Sequence, residues 1–237
     1  MSLGRKILSN TAAQVAGKII TALLGIISIK FITNYLSASE YGEYTAIYDY
    51  TALFAIVADF GLFTIAVREM SKSHEIVAKI IGNVLSVRTA LCIVSLGIGT
   101  LIAFFIPAYE GSLIPVGIGI VSISTLLMLV SGTVSSVLQI HLKMGWSACA
   151  LVFGKLITVL YIGATIFYFF PNNPEGGFLH LLYAWIIGLL FTLLITYIPS
   201  RRLAHIRYRF DFDFWKTVIV QALPYGLALI LGSIYFR

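Results

Sequence analysis

Residues Ala16–Leu36 read AGKIITALLGIISIKFITNYL, and the interpretation of this run decides the fold. A helix of about 20 apolar residues spans the ~30 Å of a bilayer's hydrocarbon, so the run is long enough to cross. It also carries Lys18 and Lys30. A lysine at the bilayer centre costs roughly 2.5–3.5 kcal/mol on insertion scales. Each therefore needs a partner, a wet cavity or a reach to the surface.

The rest of the chain repeats the pattern. Hydrophobic residues make up 59% of the 237, charged residues 11%, and the mean hydropathy is +0.96. This composition excludes an ordinary soluble domain and indicates an integral membrane protein. Seven apolar runs cover roughly 9–36, 43–66, 80–106, 113–138, 147–170, 178–199 and 218–237. They are too long for strands and lack period-two alternation. The expected fold is all-α, a polytopic transmembrane helix bundle. The leading MSLGRK has no convincing small-residue cleavage site, so the first run reads as a retained span. Cys92 and Cys149 both lie in apolar runs and read as small hydrophobes. The four histidines are scattered without metal-ligand spacing, and no metal, cofactor or catalytic group is expected.

The short breaks set the orientation. With the N-terminus inside, the inner segments hold Arg5, Lys6, Arg68, Lys72, Lys79, Lys143, Arg201, Arg202, Arg207, Arg209 and Lys216, while the outer loops carry Glu40, Glu43, Glu110 and Glu175. This is the positive-inside asymmetry of a cytoplasmic-membrane protein. The net charge of +6 is then an orientation signal and a contact with anionic lipid; nucleic acid is not an expected partner. Tyr41, Tyr44, Tyr48 and Tyr50, with Trp146 and Trp215, fit interfacial aromatic belts. The basic, aromatic segment 201–217 reads as an interfacial linker between a six-helix bundle (1–200) and a seventh span (218–237). The seventh run reaches Arg237 without a polar flank, as the start of a truncated second bundle would.

Five bases (Lys18, Lys30, Arg88, Lys155 and Arg237) and two acids (Asp49 and Asp59) remain inside the spans. If spans 1 and 2 form a tight hairpin, Lys18 matches Asp59 in depth and Lys30 matches Asp49, so two ion pairs can lock them. Counting ~1.5 Å per residue from the inner flanks puts Lys18, Arg88 and Lys155 at one level, ~12–14 Å deep. Three bases facing one acid leave positive charge suited to a phosphate or pyrophosphate group. Lys30 and Arg237 form a second basic level. Snorkelling of Arg88 or Lys155 to the inner face is the alternative. Asn10, Gln14, Gly17, Thr21, Gly25 and Ser28 share a face of span 1, either as a close-packing stripe or as a cavity wall, with Asn34 further along. Pro224 interrupts the ladder of span 7 and is a candidate hinge.

Several of these residues also carry a resemblance. Asn10 with Gln14 and Gly17, Phe31, Leu36, Tyr41-Gly42 with Tyr44, Ala58-Asp59-Phe60-Gly61-Leu62, Arg68-Glu69, and Pro224 with Tyr235 resemble the N-terminal part of polysaccharide and oligosaccharide flippases. These belong to the superfamily that also holds multidrug and toxin extruders and lipid II flippases. The resemblance implies two facing six-helix bundles around a cavity and transport of a polyprenyl-(pyro)phosphate-linked oligosaccharide from inner to outer leaflet. Possible glycan-assembly proteins are implied as partners. The resemblance carries substrate binding to Lys18, Arg88, Lys155 and Arg237; the reading of the residues adds Lys30, with Gln14, Asn34, Asp49 and Asp59 as cavity wall or ion-pair partners. The alternatives are a cation-coupled multidrug-type exporter and a membrane-embedded glycan-assembly enzyme or scaffold.

Overall fold

The computed structural model describes residues 3–59, 61–72 and 77–235. Among the described residues eight α-helices follow in order: α1 (Leu3–Tyr35), α2 (Ala38–Asp59), α3 (Leu62–Lys72), α4 (Val77–Ala103), α5 (Ile114–Ile140), α6 (Met144–Ala164), α7 (Pro174–Ser200) and α8 (Phe212–Tyr235). Among the described residues, six helical stretches are long and apolar enough to cross a membrane: Ile7–Tyr35, Ala38–Ser71, Val77–Ala103, Ile114–Ile140, Met144–Phe169 and Pro174–Ser200. The seventh apolar run is helical as far as Tyr235, as part of α8.

Local chemistry sets the helix starts. Ser37 and Glu40 form a reciprocal capping box, with the Ser37 amide donating to Glu40 at 2.7 Å and the Glu40 amide donating to Ser37 Oγ at 3.3 Å. Pro174 occupies the first turn of α7, where its missing N–H costs nothing, and Asn173 accepts from the Gly176 amide at 3.1 Å. One break was not expected. Span 2 was read as continuous over 43–66, yet its helix divides into α2 and α3 at Gly61, whose φ of +76° is open to glycine and costly for other residues. A Cβ there would lie 2.6 Å from the Tyr225 Cβ of α8, so the absent side chain also lets α8 approach.

The packing does not follow sequence order. α6 packs along both α1 and α7, α5 packs on α7 and α4, and α2 packs on α4 and α5; α1 and α2 hardly touch. The α6–α7 crossing is built from two matched glycine–threonine pairs. A Cβ on Gly154 would meet Thr192 and the Gly188 carbonyl, and one on Gly188 would meet Thr158 and the Gly154 carbonyl. Small residues of this kind let membrane helices approach backbone to backbone. Around this crossing Ile47, Ile118, Ile162, Leu181 and Leu182 are fully buried, while Met70, Ile81, Val84 and Val137 form a second core at the other end.

Asn10 and Gln14, read as cavity-wall candidates, do something else. Asn10 donates to the Leu142 carbonyl at 2.6 Å and accepts from the Met144 amide at 2.8 Å. It thereby brackets the α5–α6 turn, where Leu142 adopts φ of +51°. Gln14 reaches Met144 Sδ at 2.6 Å.

The connector after α7 is strapped onto α4. The Arg209 amide donates to the Gly82 carbonyl at 3.3 Å and to Ser86 Oγ at 3.0 Å, and the Asp211 amide donates to Asn83 Oδ1 at 2.9 Å. Lys79 pairs with Asp211 at 3.3 Å. The Phe214 amide, aided by Lys79, holds the Asp211 carboxyl below the usual carboxylate range. Asp211 thus caps α8, which begins at Phe212, so the connector ends sooner than the 201–217 read from sequence. Gly82 leaves room for this strap, because a Cβ there would strike the Arg207 carbonyl. Gly82→Val is expected to lift the connector, and tryptic cleavage after Arg207 and Arg209 should quicken several-fold relative to the unaltered protein.

Candidate functional site

A cavity of about 560 Å³ opens where α1 and α2 part, and its walls also come from α5, α6 and α7. The lining is mostly apolar and aromatic, with few polar groups, as in sites for small ligands. Tyr41, Tyr44 and Tyr48 of α2 and Trp185 of α7 supply the rings, and Ser28, Ser124 and Thr125 supply hydroxyls. Lys155 supplies an ammonium group and Asp49 a carboxylate. A second hollow of about 520 Å³, between α1 and α6, is lined by Ala13, Gly17, Trp146, Ala148 and similar residues without a charge. Only the first has the groups to orient a polar ligand.

The α6–α7 crossing positions the charge. Lys155 follows Gly154, and Trp185 lies one turn before Gly188. The Lys155 Nζ stands 3.8 Å from the centre of the Trp185 ring. The indole is fixed in turn: its Nε1 donates to Tyr44 Oη at 3.1 Å, and the Tyr48 ring meets it edge-on at 6.0 Å. Tyr44 is 7% exposed. These tyrosines are therefore cavity and core residues, and the expectation of an interfacial belt fails for Tyr44 and Tyr48. They lie on the α2 face that turns inward against α7.

The other candidates divide. Asp59 is paired with Arg88 at 2.5 Å, not with Lys18 as the hairpin reading expected. The reason is packing: α2 lies on α4, the helix of Arg88, and not on α1. Arg88 also donates to Thr133 Oγ1 of α5 and sits over the Phe63 ring of α3 at 5.7 Å. It is 4% exposed. Arg88 thus ties four helices together beside the α2–α3 break and is absent from the cavity lining.

Nor do Lys18, Arg88 and Lys155 share one level. α1 and α6 run parallel, with Asn10 at Met144, Gly17 at Ala148, Gly25 at Lys155 and Phe31 at Gly163. Lys18 is then level with Cys149, about six residues or ~9 Å short of Lys155. Ser135 meets Ser147 at 2.8 Å, which puts Thr133, and the Arg88 guanidinium bonded to it, near the level of Lys18. The count from the flanks misled because α1 projects past the start of α6. Lys18 keeps the angular position of Gly25, seven residues on, so it stands exposed on the cavity side of α1. Lys30 and Asn34, also exposed, point to the opposite side of α1 at 100° per residue. Asp49 lines the cavity and has an interaction of its own. Pro224 lies within α8 next to Tyr225, the residue that closes on Gly61. Arg237 lies outside the described residues, as does Phe60 of the motif.

Trp185 is the site residue that sequence reading missed. Its place near the middle of span 6, away from both belts, is the signal that marks it.

The sequence profile described as polysaccharide biosynthesis protein matches residues 7–237. The chain belongs to this polysaccharide biosynthesis family. Comparison with curated proteins and with solved structures finds no match. The family and the six apolar helices together make the chain a multi-pass membrane protein of polysaccharide biosynthesis, with lipid and glycan as the chemistry that surrounds it.

Proposed function

We propose that the protein is a flippase. It moves polyprenyl-phosphate- or pyrophosphate-linked oligosaccharide from the inner to the outer leaflet of the cell membrane, with its N-terminus inside. The observation that carries this reading is a lysine ammonium near the middle of the apolar stretch Met144–Phe169, in a cavity walled by aromatic rings. A phosphate head group supplies the anion that Lys155 lacks, and Lys18, on the same side of α1 and nearer the basic end, meets the head group first. The cavity opens between α1 and α2, so an isoprenoid tail can stay in lipid while the head group enters. Residues 1–200 act as one bundle, and α8, with Pro224 beside the α2–α3 break, begins the opposing element against which it rocks.

Lys155→Met in the full-length protein is expected to leave protein levels near normal and abolish glycan export. Leaflet-resolved measurement of lipid-linked oligosaccharide should then show accumulation on the inner leaflet. Normal export in Lys155→Met and in Lys18→Met/Lys155→Met would overturn the assignment.

Asp49 supports a second reading, a cation-coupled exporter of organic cations, because its carboxylate lines the same cavity. Sodium- or proton-dependent efflux lost in Asp49→Asn would favour this reading over the first.

A further inference from the structure

The Lys155 ammonium rests on the face of Trp185. We propose that this contact is a two-position device: a lipid phosphate draws the ammonium off the indole, and the sugar ring next to the phosphate takes its place. The inference rests on the flippase reading and extends it to a defined sugar subsite.

Lys155 is free to move. Among the described residues no carboxylate lies within ion-pairing distance of its Nζ, so the indole face is its main attraction. A cation–π contact is weaker than a charge-assisted hydrogen bond to a phosphate oxygen. The stem passes Gly25 of α1, where an added Cβ would lie 3.9 Å from the Lys155 Cε. At that position the neighbouring helix presents no side chain to hold the stem in place. Four rotatable bonds let the ammonium leave the ring without moving α6.

Trp185, by contrast, is held still. Tyr44 accepts its N–H and the Tyr48 ring braces it, so when Lys155 leaves, a flat and immobile surface remains. The negative face of an aromatic ring attracts the weakly positive C–H edge of a pyranose as it attracts an ammonium, so the same surface serves both occupants in turn. The volume of about 560 Å³ lies within the usual range for a small-molecule site. Ser124 and Thr125 of α5 line the same cavity; their hydroxyls donate to the Val121 carbonyl and keep lone pairs that can accept from sugar hydroxyls. The ammonium thus covers the sugar platform while it lies on the ring, and the anion uncovers it.

The test measures binding of two radiolabelled lipids to the full chain in detergent: a polyprenyl monophosphate, and the same lipid carrying one hexose. Trp185→Leu, which keeps an apolar side chain and removes the flat face, is expected to weaken the hexose-bearing lipid roughly tenfold relative to the bare lipid, while the bare lipid binds as well or better because no indole competes for the ammonium. Lys155→Met should weaken both. Equal weakening of the two lipids by Trp185→Leu would overturn the subsite while leaving the flippase reading intact. Failure of both lipids to bind the unaltered protein would overturn that reading itself. Inorganic phosphate competing as well as the lipid would make this a free-phosphate site and end the proposal. Tryptophan emission supplies a check that needs no Trp185 variant. The hexose-bearing lipid should change it in the unaltered protein. With the ammonium already gone in Lys155→Met, saturating lipid should produce a smaller change, and an equal change in the two proteins would count against the device.

Discussion

Leucine at Gly154 is expected to prevent the bundle from assembling. The first atom of any side chain there meets the Gly188 carbonyl at 2.6 Å and the Thr192 hydroxyl, and a carbonyl in a helix cannot rotate away. Overpacking usually costs about 1–3 kcal/mol; here the obstacle is backbone, so the expected loss is at or above ~3 kcal/mol. The damage should spread, because α6 joins α1 to α7 and the crossing also sets Lys155 over Trp185. Gly188→Leu should match it, since the two glycines face each other. Gly97→Leu is the control: no atom lies within 4 Å of its added Cβ. Thermal unfolding in detergent, with size-exclusion profiles, reads the outcome. A Gly154→Leu protein as monodisperse and heat-stable as Gly97→Leu would refute the close crossing.

Arg88→Met should destabilise the protein by about 3 kcal/mol, the lower end of the ~3–5 kcal/mol for breaking a buried ion pair. The lower end is chosen because Asp59 keeps 33% of its side-chain surface exposed, so the orphaned carboxylate is partly hydrated. Asp59→Asn in the same protein should recover part of the loss, and the two changes should fall well short of additive. The consequence for export differs from that of Lys155→Met. Arg88→Met lowers the amount of folded protein, and export per folded molecule survives in the double variant. Unchanged stability with abolished export would instead return Arg88 to the transport site.

Hydropathy and length were enough to find the spans, because a bilayer demands a run of fixed length and leaves few other readings. Partners were not legible in this way. The Lys18–Asp59 match assumed that consecutive spans pack together, whereas α2 lies on α4 and gives Asp59 to Arg88. The depth count failed for a related reason, since residues measured from different flanks share a level only if their helices start at one height. Gly61 hid inside an apolar run, where glycine reads as ordinary small-residue packing until its φ is known. For Lys155 the sequence offered a charge in a span, but the Trp185 face beneath it comes from another helix.

The parallel alignment of α1 with α6 bears on how the protein is made. The backbone groups that Asn10 satisfies lie 132 and 134 residues further on. At about 5–20 residues per second, the ribosome needs roughly 7–27 s to reach them. Through that interval the first span waits in the bilayer without these two partners for its amide. Asn10→Leu would remove that wait while weakening the seam that eventually closes over the α5–α6 turn.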